Sequence, residues 1–261
     1  MTYLQREIRK LMGRAIHQYR LIEDSDRILV AVSGGKDSLV MLKLLQERRA
    51  RVPIDYELRV VTVDLGYERS NLDSLEGYVR GLGCDYSIKR TQIGPLAHSS
   101  LNRENPCFLC ARMRRKVIFE TAKELRCNKI ALGHNRDDVI ETFLLNVFYC
   151  GEVSTMVPHQ VLFGGKLSII RPLSLIHEDE IRAYAKLFDF PEVQDGCPTK
   201  GSTRRSEMKI LLKELDKKDK RIRRNIFRAL SNVKIEYLLV DGNGGGLEST
   251  VLNKVKGAFQ E

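Results

Sequence analysis

A chain of 261 residues with 43% hydrophobic content is long enough to bury one substantial core. No apolar run approaches the roughly 20 residues of a membrane helix, and the charged opening MTYLQREIRK lacks the apolar centre of a signal peptide. A cytoplasmic location and no membrane contact are therefore expected. There, six cysteines read as metal ligands, catalytic thiols or buried residues rather than disulfides. The net charge of +10 favours a polyanionic partner without identifying it.

In residues 1–22, Leu4, Ile8, Leu11, Met12, Ala15, Ile16 and Tyr19 share one helical face, with Arg6, Arg9, Lys10, Arg14 and Arg20 mostly on the others. This predicts a packed leader helix with a solvated basic side. Residues 28–32 form a continuous apolar run, as a central parallel strand needs. Residues 33–38, SGGKDS, break it, and Leu39, Val40, Leu42, Leu44 and Leu45 resume at helical spacing. Gly34 and Gly35 let backbone approach an anion closely. The free amides and dipole of the helix start favour negative charge. Ser33 and Ser38 offer hydroxyls and Lys36 a cation, so the stretch predicts a pyrophosphate cradle. It fits neither GxxxxGKS/T nor GxGxxG.

Residues 58–63 read as a second strand with Asp64 at its end, where parallel sheets place ligand groups. A helix over 71–82, a short strand over 86–88 and a proline-broken loop over 94–106 follow. A helix over 108–125, a strand over 129–132 and a helix from 139 to 148 come next. A strand over 167–171 ends at Arg171-Pro172-Leu173, and a helix over 177–188 opens with three acids. Strands alternating with helices argue for a parallel sheet with helices on both faces, in an order the pattern does not reveal. Residues 204–234 hold twelve Lys or Arg against four Asp or Glu, on an expected helix pair. That is either a phosphate-binding surface or a solvated face. Residues 241–246, DGNGGG, read as a flexible break.

Two further groups carry chemistry. Pro106-Cys107-Phe108-Leu109-Cys110, with Cys197-Pro198 downstream, offers three candidate thiolates, and Arg112, Arg114, Arg115 and Lys116 add positive charge nearby. A dithiol redox pair and a zinc site completed by histidine are alternatives. A 4Fe–4S cluster on three cysteines leaves one iron open to carry sulfur. Cys84, Cys127 and Cys150 read as core or turn residues. Gly133-His134-Asn135-Arg136-Asp137-Asp138 closes a strand at the expected nucleotide cleft. Gly133 permits close approach; Asp137 and Asp138 can hold Mg2+, assist base chemistry or cap the next helix.

SGGKDS resembles the PP-loop of the ATP pyrophosphatase family. With PCxxC, GHNRDD, IRPL and the later CP, residues 5–240 resemble the tRNA 2-thiocytidine sulfurtransferases and, less closely, the tRNA 2-thiouridine enzymes. The terminal zinc modules of the thiouridine branch are missing, and Cys197 stands without the CxxC common in the thiocytidine branch. The resemblance implies a doubly wound α/β sheet and ATP on Ser33, Gly34, Gly35, Lys36, Asp37 and Ser38, with adenine near Ala31 and Asp64. It implies Gly133 at the nucleotide, Mg2+, and a 4Fe–4S cluster on Cys107, Cys110 and Cys197. Arg114, Asp137, Asp138 and Lys36 become the catalytic candidates. tRNA becomes the substrate, and a cysteine desulfurase or sulfide the sulfur source; a homodimer is allowed. The implied division is an N-terminal helix (1–25), a PP-loop domain (26–200), a basic helical extension (201–240) and a flexible tail (241–261). Competing readings are a PP-loop ligase or amidotransferase of the lysidine synthetase kind, and an RNA-binding metal protein without turnover.

Overall fold

The computed structural model describes residues 2–67, 72–193, 196–199, 201 and 203–239. The glycine-rich break, the expected tail and Asp195 lie outside the described residues.

Helix α1 (Tyr3–Gln18) begins with a capping box between Thr2 and Gln5 and buries Ile8, Met12, Ala15 and Ile16. Then follow β1 (Asp26–Ala31), α2 (Lys36–Arg49), β2 (Tyr56–Asp64), α3 (Asp73–Gly81) and β3 (Asp85–Arg90). A short α4 (Ile93–Ala97) interrupts the stretch expected to be loop, burying Ile93 and Ala97. Next come α5 (Pro106–Glu124), β4 (Lys129–Ala131), α6 (Arg136–Leu145), β5 (His159–Leu162), β6 (Leu167–Ile170) and α7 (Glu178–Ala185). The basic segment forms α8 (Arg204–Lys218) and α9 (Arg221–Ala229).

The six strands lie in the order β3-β2-β1-β4-β6-β5. All neighbours pair in parallel except β5, which runs antiparallel to β6 at the edge. Sequence periodicity missed β5 because it is paired on one side only, and its Val161 faces solvent. The chain leaves β1 toward β3 on one side and returns through β4 toward β5 on the other. The loops after β1 and β4 therefore diverge at the carboxyl edge, which opens the crevice where such sheets bind ligands.

Side chains alternate across the sheet. Ile28, Val30, Val60 and Ala131 join α1, α2 and α7 in one core, while Leu29, Val61, Ile130 and Leu167 pack under α5. A third cluster joins Ile140 and Leu144 of α6 to Met208 and Leu212 of α8. No helix among the described residues is long and apolar enough to cross a membrane.

Candidate active site

The turn after β1 is braced from within. The Ser38 hydroxyl donates to the Gly35 carbonyl at 2.8 Å and accepts from the Ser33 amide at 3.2 Å, and the Ser33 hydroxyl accepts from the Gly35 amide at 3.4 Å. Both serines, expected to serve the phosphate, thus also shape the loop. Gly35 is the N-cap of α2 and gives no side-chain cap. The first amides of the helix are therefore left for an anion.

Gly34 has φ +79°, and a Cβ there would lie 2.4 Å from Val193 Cγ2. A Cβ on Gly133 would lie 3.0 Å from both Cα and N of Ser38, so only glycine lets the β4 loop close on the cradle.

A cleft of about 1260 Å³ runs along this edge. The cradle residues Ser33, Gly35, Lys36, Asp37 and Ser38 line it, with Ala31 and Asp64 beside them on the β1 and β2 ends. Gly133, Asp138, Arg114 and Cys107 line the same space. Gly34 is not among the lining residues.

The CxxC opens α5, which starts two residues earlier than the expected 108. Asn105 caps the helix by accepting from the Cys107 and Phe108 amides, and Pro106 occupies its first turn. Cys107 and Cys110 therefore stand one turn apart on one face. Cys197 comes from a distant loop, yet its sulfur and that of Cys107 each lie 3.4 Å from the Thr199 hydroxyl. His98 Nε2 is 3.3 Å from the same hydroxyl, while its Nδ1 faces the Gly94 carbonyl at 3.0 Å. Neither Thr199 nor His98 was expected from sequence, because nothing in their local pattern marks them.

Two of the three thiols thus meet at one hydroxyl at the rim of the cleft, with Cys110 one turn from Cys107. Three cysteine donors suit a 4Fe–4S cluster by their chemistry, although as placed the three do not stand close enough together to hold an ion. Cys84 and Cys127 are instead buried, and burial pushes both thiols up.

Asp37, Asp138 and Glu178 all face the cleft. Among the described residues no three His, Cys, Asp or Glu are grouped to hold a metal ion alone. One or two carboxylates completed by substrate phosphate is the usual magnesium arrangement, and Asp37 with Asp138 fits it.

Burial, reinforced by Asp138 and Glu178, raises Asp37 from 3.8 to about 6. The folded chain thus holds a proton that the unfolded chain has released between those values. Asp37's contribution to stability falls as pH rises through that window and stays lost above it. Asp37→Asn is expected to melt above the wild type at about pH 8, the gain vanishing near about pH 4. Thermal melts of both proteins across pH measure it, and an equal difference at all pH values refutes it.

Burial also raises Asp138, which accepts the Asn135 amide at 2.9 Å as part of the capping box of α6. It both caps and faces the cleft. Asp137, the neighbouring catalytic candidate, sits differently. It is 2% exposed, does not line the cleft, and accepts from the Glu178 amide at 2.7 Å and from Arg223. Its carboxylate joins α6, α7 and α9. Part of the basic extension is engaged internally. Arg205 lies 3.6 Å from Asp138, Lys209 lies 3.3 Å from Glu178, and Arg223 holds Asp137 and Asp216. Some of its charge therefore neutralises internal carboxylates, including Glu141, which burial raises to about 7.

The PP-loop domain family model matches residues 2–214. The tRNA-cytidine(32) 2-sulfurtransferase of Geobacter sulfurreducens is 40% identical over 242 residues, covering 90% of this chain and 92% of the relative. The protein of the same name from Syntrophotalea carbinolica is 40% identical over 239 residues, with the same coverage. The structure resembles the U34-tRNA thiolase of Methanococcus maripaludis, solved with its 4Fe–4S cluster (TM-score 0.72, 25% identity, 90% of this chain and 80% of that one). An ammonia-dependent NAD synthetase from Campylobacter jejuni shares the fold (TM-score 0.51, 16% identity, 89% and 93% covered). On these matches the chain belongs to the PP-loop family and, within it, to the tRNA-cytidine 2-sulfurtransferases.

Proposed function

We propose that this protein is an ATP-dependent tRNA sulfurtransferase that replaces O2 of an anticodon-loop cytidine with sulfur. The observation that carries the reading is that Cys107, Lys36, Asp138 and Arg114 line one continuous cleft. O2 of the base attacks the α-phosphorus, and pyrophosphate leaves as the bridging P–O bond breaks. A sulfur nucleophile then adds to C2, and AMP departs with the original oxygen.

The α2 amides and Lys36 bind the pyrophosphate and stabilise its charge as it leaves. Asp37 and Asp138 would hold Mg2+, which would balance the charge of the phosphates. Arg114 offsets the negative charge of the α-phosphate joined to the base. Ala31 and Asp64 face the adenine. Cys107, Cys110 and Cys197 would hold a 4Fe–4S cluster, which with only three protein ligands would supply an iron open to sulfur. The sulfur comes from a cysteine desulfurase or free sulfide in the cytoplasm.

The test is anaerobic incubation of iron-loaded protein with ATP, sulfide and an unmodified tRNA transcript. Expected products are pyrophosphate and 2-thiocytidine, read by mass spectrometry of digested RNA. RNA binding without pyrophosphate release refutes the enzyme reading, and 2-thiouridine moves the substrate to the other branch.

A further inference from the structure

Arg171 follows β6 at the carboxyl edge, and it is buried to 6% exposure. Among the described residues no carboxylate lies within ion-pair distance of it. Its Nη1 donates to the Val157 carbonyl at 2.5 Å and its Nη2 to Gln160 Oε1 at 3.3 Å. Its Nε has no partner. A guanidinium in such a place carries a desolvation cost that neutral acceptors repay only in part. Burial, and then repulsion from Arg115, lower it from 12.5 to about 10, a measure of the same strain.

The surroundings sharpen the point. Arg171, Arg115 and Arg114 line the cleft, as does Arg205, which already leans on Asp138. His134 lines it too, with a buried Nδ1 that has no hydrogen-bond partner. Burial and these four arginines hold His134 down at about 3, so it is a neutral hydrogen-bonding group rather than a fifth cation. The region thus offers concentrated positive charge beside an unsatisfied neutral ring. That is the complement of an anion joined to a polar uncharged body, as a nucleotide is.

Position separates this region from the phosphate cradle. The strand order β1-β4-β6 puts the end of β6 two strands from the loop after β1, roughly 10 Å along the edge. ATP on the cradle, with adenine toward β2, leaves the β6 end free.

We propose that Arg171 and Arg115 receive a backbone phosphate of the RNA adjoining the target cytidine, with His134 hydrogen-bonding that same nucleotide. The inference rests on the tRNA sulfurtransferase reading and adds to it the place where the RNA strand enters. Arg171 is fixed by the Val157 and Gln160 acceptors, so its fork is oriented before the strand arrives. Arg115 is exposed and closes on the phosphate from α5. The Nη hydrogens of Arg171 not used by Val157 and Gln160, with the exposed Arg115 fork, bring two guanidinium groups to one phosphate.

The test measures fluorescence anisotropy of the full chain with an unmodified tRNA transcript carrying an anticodon-loop cytidine, over a range of salt. ATP binding is measured separately without RNA. Arg171→Gln and Arg115→Gln are each expected to weaken RNA binding roughly 10-fold or more. Each should also flatten the salt dependence by about 0.7–0.9 in log–log slope, as loss of one phosphate contact does. ATP affinity should stay within about twofold. Should Arg171→Gln fail to fold, Arg115→Gln carries the result, since an exposed side chain is dispensable for folding. Unchanged RNA affinity and slope in a wild-type-like fold overturn the subsite while leaving the sulfurtransferase reading standing. So does loss of ATP affinity alone, which assigns the arginines to ATP. A wild-type protein that binds no tRNA overturns both.

Discussion

Cys107→Ser is expected to cut thiolation roughly 100-fold or more while leaving ATP binding and the melting temperature nearly unchanged. The side chain is exposed in the first turn of α5, where its loss leaves no cavity. Its sulfur nevertheless faces Thr199 together with that of Cys197 and borders the ATP cleft. On the proposed cluster role, removing one of three ligands removes their joint function. Iron and sulfide content, the visible spectrum of anaerobically purified protein and the thiocytidine yield measure the effect. Full thiolation with an intact spectrum would remove the thiols from the mechanism. The contrasting control is Cys84→Ser, a buried position outside the cleft, which should lose stability rather than thiolation.

The second large effect is on stability. Asp137→Ala is expected to cost about 3 kcal/mol or more, because it leaves a half-buried network uncompensated. Arg223 loses one of its two carboxylates, and the Glu178 amide at the start of α7 loses its acceptor. Burial pushes Asp137 up, but His177, that amide and Arg223 outweigh it and hold the carboxyl well below the usual range. A depressed pKa contributes stability above the ordinary carboxylate value and loses it as pH falls below. The penalty should therefore be full near neutral pH and shrink below about pH 4. Urea midpoints of wild type and variant across pH report it. A stable variant that has lost only turnover would restore Asp137 to the chemistry.

These two aspartates show where sequence reasoning stops. Asp137 and Asp138 are adjacent and chemically identical, and both looked suited to the cleft. Successive helix residues point about 100° apart, so only one can face the ligand. Which one does depends on where α6 lies against α7 and α9, and that is set by packing of Ile140 and Leu144 under α8. The basic extension has the same lesson. Its charge density was visible, but Arg205, Lys209 and Arg223 turn inward toward carboxylates supplied by α6 and α7.

Local chemistry alone marked the cradle, the parallel strands and the CxxC that opens α5. A glycine turn between an apolar run and a helix, or a proline before a CxxC, expresses its conformation through short-range sterics and hydrogen bonding. The strand order, the edge strand β5, the approach of Gly133 to Ser38, and the meeting of Cys107, Cys197 and His98 at Thr199 were decided by the tertiary structure. Each joins segments far apart in the chain, and burial of apolar surface, which carries no directional code in the local sequence, fixes their relative placement. The unpaired Arg171 belongs to this second group. Its residue type is plain in the sequence, but the absence of a neighbouring acid among the described residues emerges only once the surrounding chain has folded around it.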